Sequence, residues 1–183
     1  MKIATFRIVG ISPLLMNSAA AFTVSDADKS KTRQSIPPPE VEAEAGTYRL
    51  EDNALGFPAA AFKKAVVSAA KGRKVGKLGL PGIVLASVFE TTEYVALIDP
   101  ETDKPLHDYI IDIRGARPQK QGMVRRARPR VDAWACDVSL EYDDELITDD
   151  LVRELLERAG RNIGIGNFRP EKSGRYGRFE VAT

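Results

Sequence analysis

Few side chains in this sequence could carry out a chemical reaction. His107 is the only histidine and Cys136 the only cysteine. A histidine can serve as a general base, but His107 follows Pro105 at the start of a strand-like run and has no serine or cysteine motif beside it, which favours an exposed or capping role. Cys136 alternates into another strand-like run and is predicted to be a small core residue. We therefore expect a binding protein rather than an enzyme and predict no catalytic residue.

The acidic residues do not indicate a metal site. Asp143 and Asp144 stand next to further acids just ahead of a predicted helix, a pattern more typical of a solvated turn. Zinc prefers several cysteine and histidine ligands, and the sequence has one of each. We predict neither a metal ion nor another cofactor.

The residues best suited to an interaction lie in a basic segment, RGARPQKQGMVRRARPR, at positions 114–130. Cations at this density repel one another unless a polyanion neutralises them. Arginine also forks onto phosphate oxygens and stacks on bases. A solvated loop and a site for an acidic protein surface remain alternatives. The predicted nucleic-acid-binding residues of this segment are Arg114, Arg117, Lys120, Arg125, Arg126, Arg128 and Arg130.

A second segment, RNIGIGNFRPEKSGRYGRFEV at positions 161–181, interleaves glycines, cations and aromatic residues. Glycine lets a backbone approach a phosphate, its N–H group can cradle that phosphate, and an aromatic ring offers a face to a base. The alternative is a glycine-rich turn that leads into the last strand. With two lysines of an earlier helix, the predicted binding residues here are Lys63, Lys64, Arg161, Phe168, Arg169, Lys172, Arg175, Tyr176 and Arg178.

A mixed framework of strands and helices must position these two segments. Period-two and period-3.6 patterns predict the order strand, helix, strand, long excursion, strand, helix, strand. This is the βαββαβ order of a ferredoxin-like domain. The fold class is thus α+β, with a ferredoxin-like (RRM-like) core and a basic β-hairpin at 107–131 inserted in the excursion. Strands are predicted at 2–11, 83–89, 93–99, 107–113, 131–142 and 177–181, and helices at 58–71 and 149–159.

Residues 17–46 differ from this framework because they contain few large apolar side chains. Three consecutive prolines at 37–39 favour an extended polyproline conformation. The acids Glu40, Glu42 and Glu44 follow. We predict a long N-terminal loop that forms a flexible arm. The whole chain, 1–183, is then a single domain with this arm and the basic hairpin.

Composition limits the classes of function. Hydrophobic residues make up 43% of the 183 positions, enough for a core, and the net charge of +1 predicts no partner by itself. No apolar run approaches the roughly 20 residues of a membrane span. The first residues alternate in polarity and lack the apolar stretch of a signal peptide. We expect a cytoplasmic protein with no membrane partner.

Three places in the sequence together resemble the RAMP superfamily, the RRM-like proteins that build CRISPR ribonucleoprotein effectors. Residues 11–15 (ISPLL) resemble the SPL that ends the first strand in many members. Residues 56–65 (GFPAAAFKKA) are similar to the family's entry to its first helix, although Ala59, Ala60 and Ala61 stand where Gly-Ser-Ser is usual. Residues 164–179 resemble the glycine-rich loop before the last strand. By layout the chain is most similar to the effector backbone subunit, in which a thumb hairpin stands between core strands, or to a phage or mobile-element relative.

The resemblance implies a function without chemistry. A backbone-like subunit is expected to bind single-stranded RNA or DNA through phosphate contacts, as many copies along the strand, with effector or phage proteins as further partners. The alternatives are a RAMP-type endoribonuclease, in which His107 would be the base, and a phage structural or adaptor protein. The family also implies that an acid in a long loop, Asp26 or Asp28 here, could cut target RNA.

Overall fold

A computed structural model describes residues 1–21, 37–116 and 124–182. Its helices are α1 (Pro39–Ala45), α2 (Ala60–Ala69), α3 (Leu80–Ser87) and α4 (Asp149–Asn162). A 3-10 turn covers Pro170–Lys172. The strands are β1 (Lys2–Gly10), β2 (Leu14–Leu15), β3 (Gly56–Pro58), β4 (Lys74–Val75), β5 (Leu78–Gly79), β6 (Val88–Glu90), β7 (Tyr94–Ala96), β8 (Ile110–Ala116), β9 (Val124–Val131), β10 (Ala135–Tyr142) and β11 (Phe179–Val181).

The main sheet has four strands in the order β11-β1-β10-β6, and every neighbouring pair is antiparallel. If β1, β6, β10 and β11 are counted as core strands one to four, the spatial order is 4-1-3-2, that of a ferredoxin-like sheet. Helices α2 and α4 contact each other and the edge strands of this sheet. The α+β, ferredoxin-like prediction is confirmed.

Alternation along β1 separates the two faces of the main sheet. Phe6 and Ile8 are buried and lie opposite Val138 and Cys136 of β10, which are also buried. The other face is polar: the hydroxyls of Thr5 and Ser139 are 2.7 Å apart, and Arg7 is paired with Asp137. Within the described residues, no helix has the length and hydropathy needed to cross a bilayer.

The predicted basic hairpin is present as β8 and β9, inserted between the second and third core strands. The two strands pair from Ile110↔Arg130 to Ala116↔Val124, and β9 also pairs with β2. Residues 117–123, between the two strands in the sequence, lie outside the described residues and include the predicted binding residues Arg117 and Lys120.

The prediction of a strand at 83–89 was wrong over most of its length. Residues 80–87 form α3, and only the three residues of β6 follow as strand. A short continuous apolar run such as IVLASVF fits a buried strand or a helix equally well. Gly79 and Pro81 precede it, and proline in the first turn suits a helix.

Two helix boundaries also differ from the prediction. Pro58 ends β3, where it pairs with Tyr94, and α2 begins two residues later. Helix α4 continues past Gly160, which we expected to end it, as far as Asn162. Gly160 is needed for packing instead, because a Cβ atom there would lie 2.0 Å from the backbone oxygen of Phe179.

The extended polyproline conformation predicted for the three prolines reaches only as far as Pro38, which has φ −52° and ψ 143°. Pro39 begins α1, consistent with the preference of proline for the first helical turn. Glu42 and Ala43 are buried, and α1 packs against β8 and β9. The last third of the predicted arm is therefore part of the folded body, whereas residues 22–36 lie outside the description.

Candidate nucleic-acid interface

One face of the hairpin collects four arginines around a single aspartate. Because side chains alternate along a strand, Arg126, Arg128 and Arg130 of β9 share a face with Asp112 and Arg114 of β8. Asp112 lies opposite Arg128 in the register and is only 7% exposed. We call these four arginines, which are Arg114, Arg126, Arg128 and Arg130, the arginine face.

The carboxylate of Asp112 does not bond to the arginine opposite it. It accepts hydrogen bonds from Arg114, at 2.9 Å for one of the two contacts, and from Arg130 at 3.2 Å. The bond from Arg114 and the weaker influence of Arg130 hold the pKa of Asp112 below its ordinary value, although burial opposes the shift. Asp112 is therefore ionised at neutral pH and fully used by two arginines.

Two more carboxylates neutralise the ends of the arginine face. Glu42 of α1, 4% exposed, accepts from Arg126 at 3.2 Å and from the backbone N–H of Ala127 at 3.0 Å. Asp132 accepts from Arg130 at 2.7 Å. Three of the four guanidinium groups thus have a carboxylate partner.

Arg128 is the exception on this face. Its Nε and Nη1 atoms are buried and have no hydrogen-bond partner among the described residues. The guanidinium carbon lies 5.4 Å from the ring centroid of Phe168, within the range of a cation–π contact. Burial lowers the pKa of Arg128, but arginine stays protonated in proteins. A desolvated positive charge without a counter-charge is the result.

The aromatic residues of the glycine-rich loop are occupied by arginines. Arg114 lies 4.6 Å from the ring centroid of Tyr176 and also contacts its hydroxyl oxygen, while Arg175 approaches the same ring at 5.7 Å. Tyr176 is only 5% exposed. In this arrangement its ring does not present an open face to a base. Phe168 is partly exposed, with Arg114 and Arg128 both near its ring.

The glycine-rich loop also differs from the expected cradle of free N–H groups. Gly164 donates to Ala159 at 2.8 Å and Gly177 to Pro13 at 2.8 Å, both through backbone atoms. Gly174 donates to the carbonyl of Arg169 at 3.0 Å. These three N–H groups hold the loop in shape and are not available to an anion.

A groove runs between α2 and the glycine-rich loop. Two adjoining cavities of about 260 and 240 Å³ share Ala61, Lys64, Gly166 and Arg169 in their walls. Lys64 is exposed and has no carboxylate partner in the described part of the chain. Arg169 is paired with Glu171 at 2.8 Å and also donates to the carbonyl of Gly166. We call this feature the α2 groove.

The three segments that resemble the RAMP superfamily meet at the α2 groove. Residues 58–64 form one wall and residues 164–169 another. The 11–15 segment lies beneath the loop: Leu15 accepts from the N–H of Asn167 at 2.9 Å, and Ser12 Oγ accepts from the N–H of Arg178 at 2.9 Å. The contacts give a physical reason for the joint occurrence of these motifs.

The remaining predicted binding residues are dispersed. Lys63 points to β6, 3.9 Å from Glu90 and 4.6 Å from the ring centroid of Phe89. Arg161 is exposed and 3.9 Å from Glu157. The structure does not bring either residue to the groove. Four further predicted binding residues have no carboxylate partner in the described regions, namely Arg125, Lys172, Arg175 and Arg178. Of these, Arg125 donates to the carbonyl of Pro37 at 3.3 Å.

The residues considered for chemistry have structural surroundings. His107 is exposed, with Nδ1 3.3 Å from the carbonyl oxygen of Asn53. Cys136 is buried, and burial raises the pKa of its thiol well above the usual range. Trp134 is fully buried and donates to the carbonyl of Ser12 at 2.9 Å. Within residues 1–21, 37–116 and 124–182, no group of three or more acids, histidines or cysteines is arranged to hold a metal.

Sequence reasoning missed three residues that shape the interface. Tyr48 and Asn17 extend the wall of the α2 groove, and the Tyr48 ring packs edge-on against Phe57 at 5.7 Å. Asp112 was also missed, although strand alternation places it beside Arg114. Tyr48 had no comparable signal, because a single tyrosine in a strand-like run is usually core.

Comparison with known proteins shows the fold. No protein-family model and no curated protein sequence matches this chain. The structure is similar to the crystal structure of Cmr6 from Pyrococcus furiosus, with a TM-score of 0.52 and 14% identity over 99% of this chain and 98% of Cmr6. It is also similar to a chain in the cryo-EM structure of the Type III-B Cmr-beta complex bound to cognate target RNA, with a TM-score of 0.60 and 13% identity.

The alignment to the second structure covers 99% of this chain but 58% of the other, so this chain spans a little over half of that subunit's length. Both similar structures are of Cmr proteins. The chain therefore shares the fold of these proteins, and the fold that the resemblance implied is confirmed.

Proposed function

We propose that this chain binds single-stranded RNA without cutting it, as a subunit of a ribonucleoprotein that contains several copies. The observation that carries the proposal is the glycine-rich loop, which joins two basic surfaces. Asn167 and Arg169 line the α2 groove, and Phe168 between them contacts Arg128 of the arginine face. A single RNA strand that runs along the glycine-rich loop would meet the cations of the α2 groove and then those of the hairpin. The RNA bound to the similar Cmr complex supports RNA over DNA.

The distribution of charge supports this surface over the open face of the sheet. RRM domains bind RNA with aromatic side chains on their sheet. Here that face presents Asp137 and Glu141 on β10 and no aromatic on β1, and the aromatic that it carries on the edge strand β6, Phe89, already has Lys63 over its ring. The cations lie instead on the hairpin and beside the loop. The fit is to a backbone of phosphates, because the tyrosine of the loop is already covered by arginines.

Titration of labelled RNA tests the proposal directly. We expect fluorescence anisotropy to show tighter binding of single-stranded RNA than of single-stranded DNA or duplex. The logarithm of the association constant should fall with the logarithm of the salt concentration by about 0.7 for each phosphate contacted. Absent binding of all three at low salt would contradict the proposal and favour a phage structural or adaptor protein, whereas equal binding of all three would contradict the preference for single-stranded RNA. A denaturing gel of the same samples tests the endoribonuclease alternative, which requires shortened RNA.

Assembly in several copies is supported by surfaces at the two ends of the molecule. The hairpin lies at the end of the main sheet where β1 ends and β10 begins. The opposite end of this sheet, where β1 begins and β10 ends, carries exposed apolar residues. A cavity of about 540 Å³ lies there. Four of its lining residues are large apolar side chains that are 40–65% exposed, and they are Met1, Leu78, Phe89 and Leu146. Exposed Ile110 and Ile113 lie on the hairpin. Contact between opposite ends of two copies gives a head-to-tail array, which is a ring or an open filament according to the rotation between neighbouring copies.

Sedimentation velocity tests this arrangement. With RNA long enough for several copies, we expect the wild type to form multimers and Leu78→Glu together with Leu146→Glu to bind only as single copies, because buried carboxylates oppose the contact. Lys104→Glu, an exposed substitution in the 99–104 turn, is the control and should still assemble. A wild type that stays monomeric on long RNA would contradict assembly but not RNA binding.

A further inference from the structure

Counted over the residues that the structure describes, the arginine face has one carboxylate fewer than it has guanidinium groups. Four guanidinium groups meet three carboxylates, those of Glu42, Asp112 and Asp132. Each carboxylate is engaged by Arg114, Arg126 or Arg130. The deficit is therefore localised at one side chain, Arg128, and is not spread over the face.

The position of Arg128 does not relieve this deficit. The residue opposite it in the register is Asp112, whose oxygens are taken by Arg114 and Arg130. The positive charges of Arg126 and Arg114 repel the guanidinium group of Arg128. Glu42 and Asp112 attract this group but form no hydrogen bond with its Nε or Nη1 atom. Buried polar groups in native proteins nearly always have a partner, so an unpaired pair of N–H donors requires a reason.

Local packing keeps Arg128 in this unfavourable place. The ring of Phe168 lies against its guanidinium group at 5.4 Å. Phe168 itself has a positive φ of 52°, and its carbonyl accepts from Tyr176 at 3.0 Å, so the loop backbone fixes the ring. Arg128 as a whole is partly exposed, while its buried Nε and Nη1 atoms become accessible to an anion only when the side chain turns outward.

We propose that Arg128 is an anion site that takes one phosphate group between the arginine face and the glycine-rich loop. Arginine presents donors in a planar fork that matches two phosphate oxygens, and Arg114 and Arg126, which pair with each other at the next position of the register on this face, add positive charge beside it. The identification of the source as a phosphodiester of bound RNA rests on the proposed function. Inorganic phosphate has the same chemistry and serves as a separate probe.

Thermal unfolding of the full chain tests the site without RNA. A ligand that binds only the folded state stabilises it by RT ln(1 + L/Kd), where L is the free ligand concentration, so Tm rises with the ligand concentration. Sodium phosphate should therefore raise the Tm of the wild type above its value in sodium chloride at equal ionic strength and pH. Arg128→Met should abolish this phosphate-dependent shift. In chloride its Tm should equal or exceed that of the wild type, because the variant removes an unpaired buried charge.

Two variants keep the test decisive. Lys77→Met removes one exposed positive charge on the hairpin of β4 and β5 and should retain the full phosphate shift. Arg128→Lys keeps the charge but loses the planar fork, and should need at least about tenfold more phosphate for the same shift. A wild type without a phosphate shift, or an Arg128→Met variant with the full shift, would overturn the proposal. If the Arg128→Met variant does not fold, the lysine variant decides the question. An Arg128→Lys protein that shows the full phosphate-dependent Tm shift would then overturn the proposal.

RNA titrations identify the natural source of the phosphate. Arg128→Met should reduce the slope of log association constant against log salt by about 0.7, the contribution of one phosphate on a single strand. An unchanged slope together with normal RNA binding would overturn the assignment of Arg128 and leave the RNA-binding function intact. A phosphate shift in a protein that binds no RNA would instead contradict the proposed function and leave the anion site in place.

Discussion

Alanine at Lys64, Arg125, Lys172 and Arg175 together should lower the affinity for single-stranded RNA by about 100-fold to 1,000-fold. All four are exposed cations without a carboxylate partner in the described part of the chain, so their charge is available to a ligand. A hydrogen bond to a charged group contributes roughly 1 kcal/mol or more. The salt dependence should also weaken, by about 0.7 in slope for each of the four phosphates no longer contacted.

The choice of these residues follows from the ion pairs. Substituting Arg126 would leave the buried carboxylate of Glu42 without its guanidinium partner, and a loss of RNA binding could then reflect damage to the fold. The four chosen residues avoid this problem, and circular dichroism should show an unchanged Tm within about 2 °C, since surface substitutions usually alter stability by less than 0.5 kcal/mol.

A control with the same change in net charge separates local contacts from general attraction. Its positions lie outside the arginine-rich hairpin, the glycine-rich loop and the α2 groove and have no carboxylate partner among the described residues. They are Lys74, Lys77, Lys104 and Arg158. Alanine at these four should reduce the affinity for RNA less than tenfold. Equal losses in the two quadruple variants would show that the interface has been assigned to the wrong surface.

Alanine should have opposite effects at two helical glycines. At Gly160 of α4 the added Cβ atom would lie 2.0 Å from the carbonyl oxygen of Phe179, so helix and strand β11 must separate. We expect Gly160→Ala to cost about 3 kcal/mol of unfolding free energy, the upper range for overpacking. At Gly82 of α3 no atom lies within 4 Å of the added Cβ. Gly82→Ala should stabilise the protein by about 0.5–1 kcal/mol, because alanine is the better helix former.

Urea unfolding followed by circular dichroism measures both effects. The two variants make the same chemical change in a helix, so the difference in midpoint isolates the contact with Phe179. A Gly160→Ala variant as stable as Gly82→Ala would mean that α4 does not pack directly on β11. The expected loss at Gly160 is large enough to reduce the folded fraction noticeably in a protein of ordinary stability.

Long periodic segments were predicted well because their chemistry is local. The apolar stripe of α4, with Thr148 accepting a hydrogen bond from Leu151 at its N-terminus, is set by residues a few positions apart. The alternating strands β1 and β10 and the basic hairpin are likewise determined by nearby residues. The run at 83–89 failed for the complementary reason: a continuous apolar stretch carries no period, and tertiary packing decided for a helix.

The electrostatics of the interface could be predicted only in part. The basic segment contains no acid between positions 114 and 130, yet three of its arginines are paired in the fold. Asp112 could have been found, since it is two residues from Arg114 on the same face of a strand. Glu42 is 84 positions from Arg126 in the sequence, and no local pattern connects the two. The identity of the one unpaired arginine depends on these tertiary contacts.

Helix α1, which contains the acidic residues that follow the three prolines, packs against the hairpin. Glu42 bonds to Arg126 and to the backbone of β9, and the carbonyl of Pro37 accepts from Arg125. Any ligand that draws Arg125 or Arg126 toward itself changes the free energy with which α1 is docked. By thermodynamic reciprocity, a protein that captures α1 must alter the affinity of the hairpin for its ligand by the same factor. Through the contact between α1 and β9, binding at the hairpin and binding at α1 are thermodynamically coupled, so a ligand on one segment changes the affinity of the other for its own ligand.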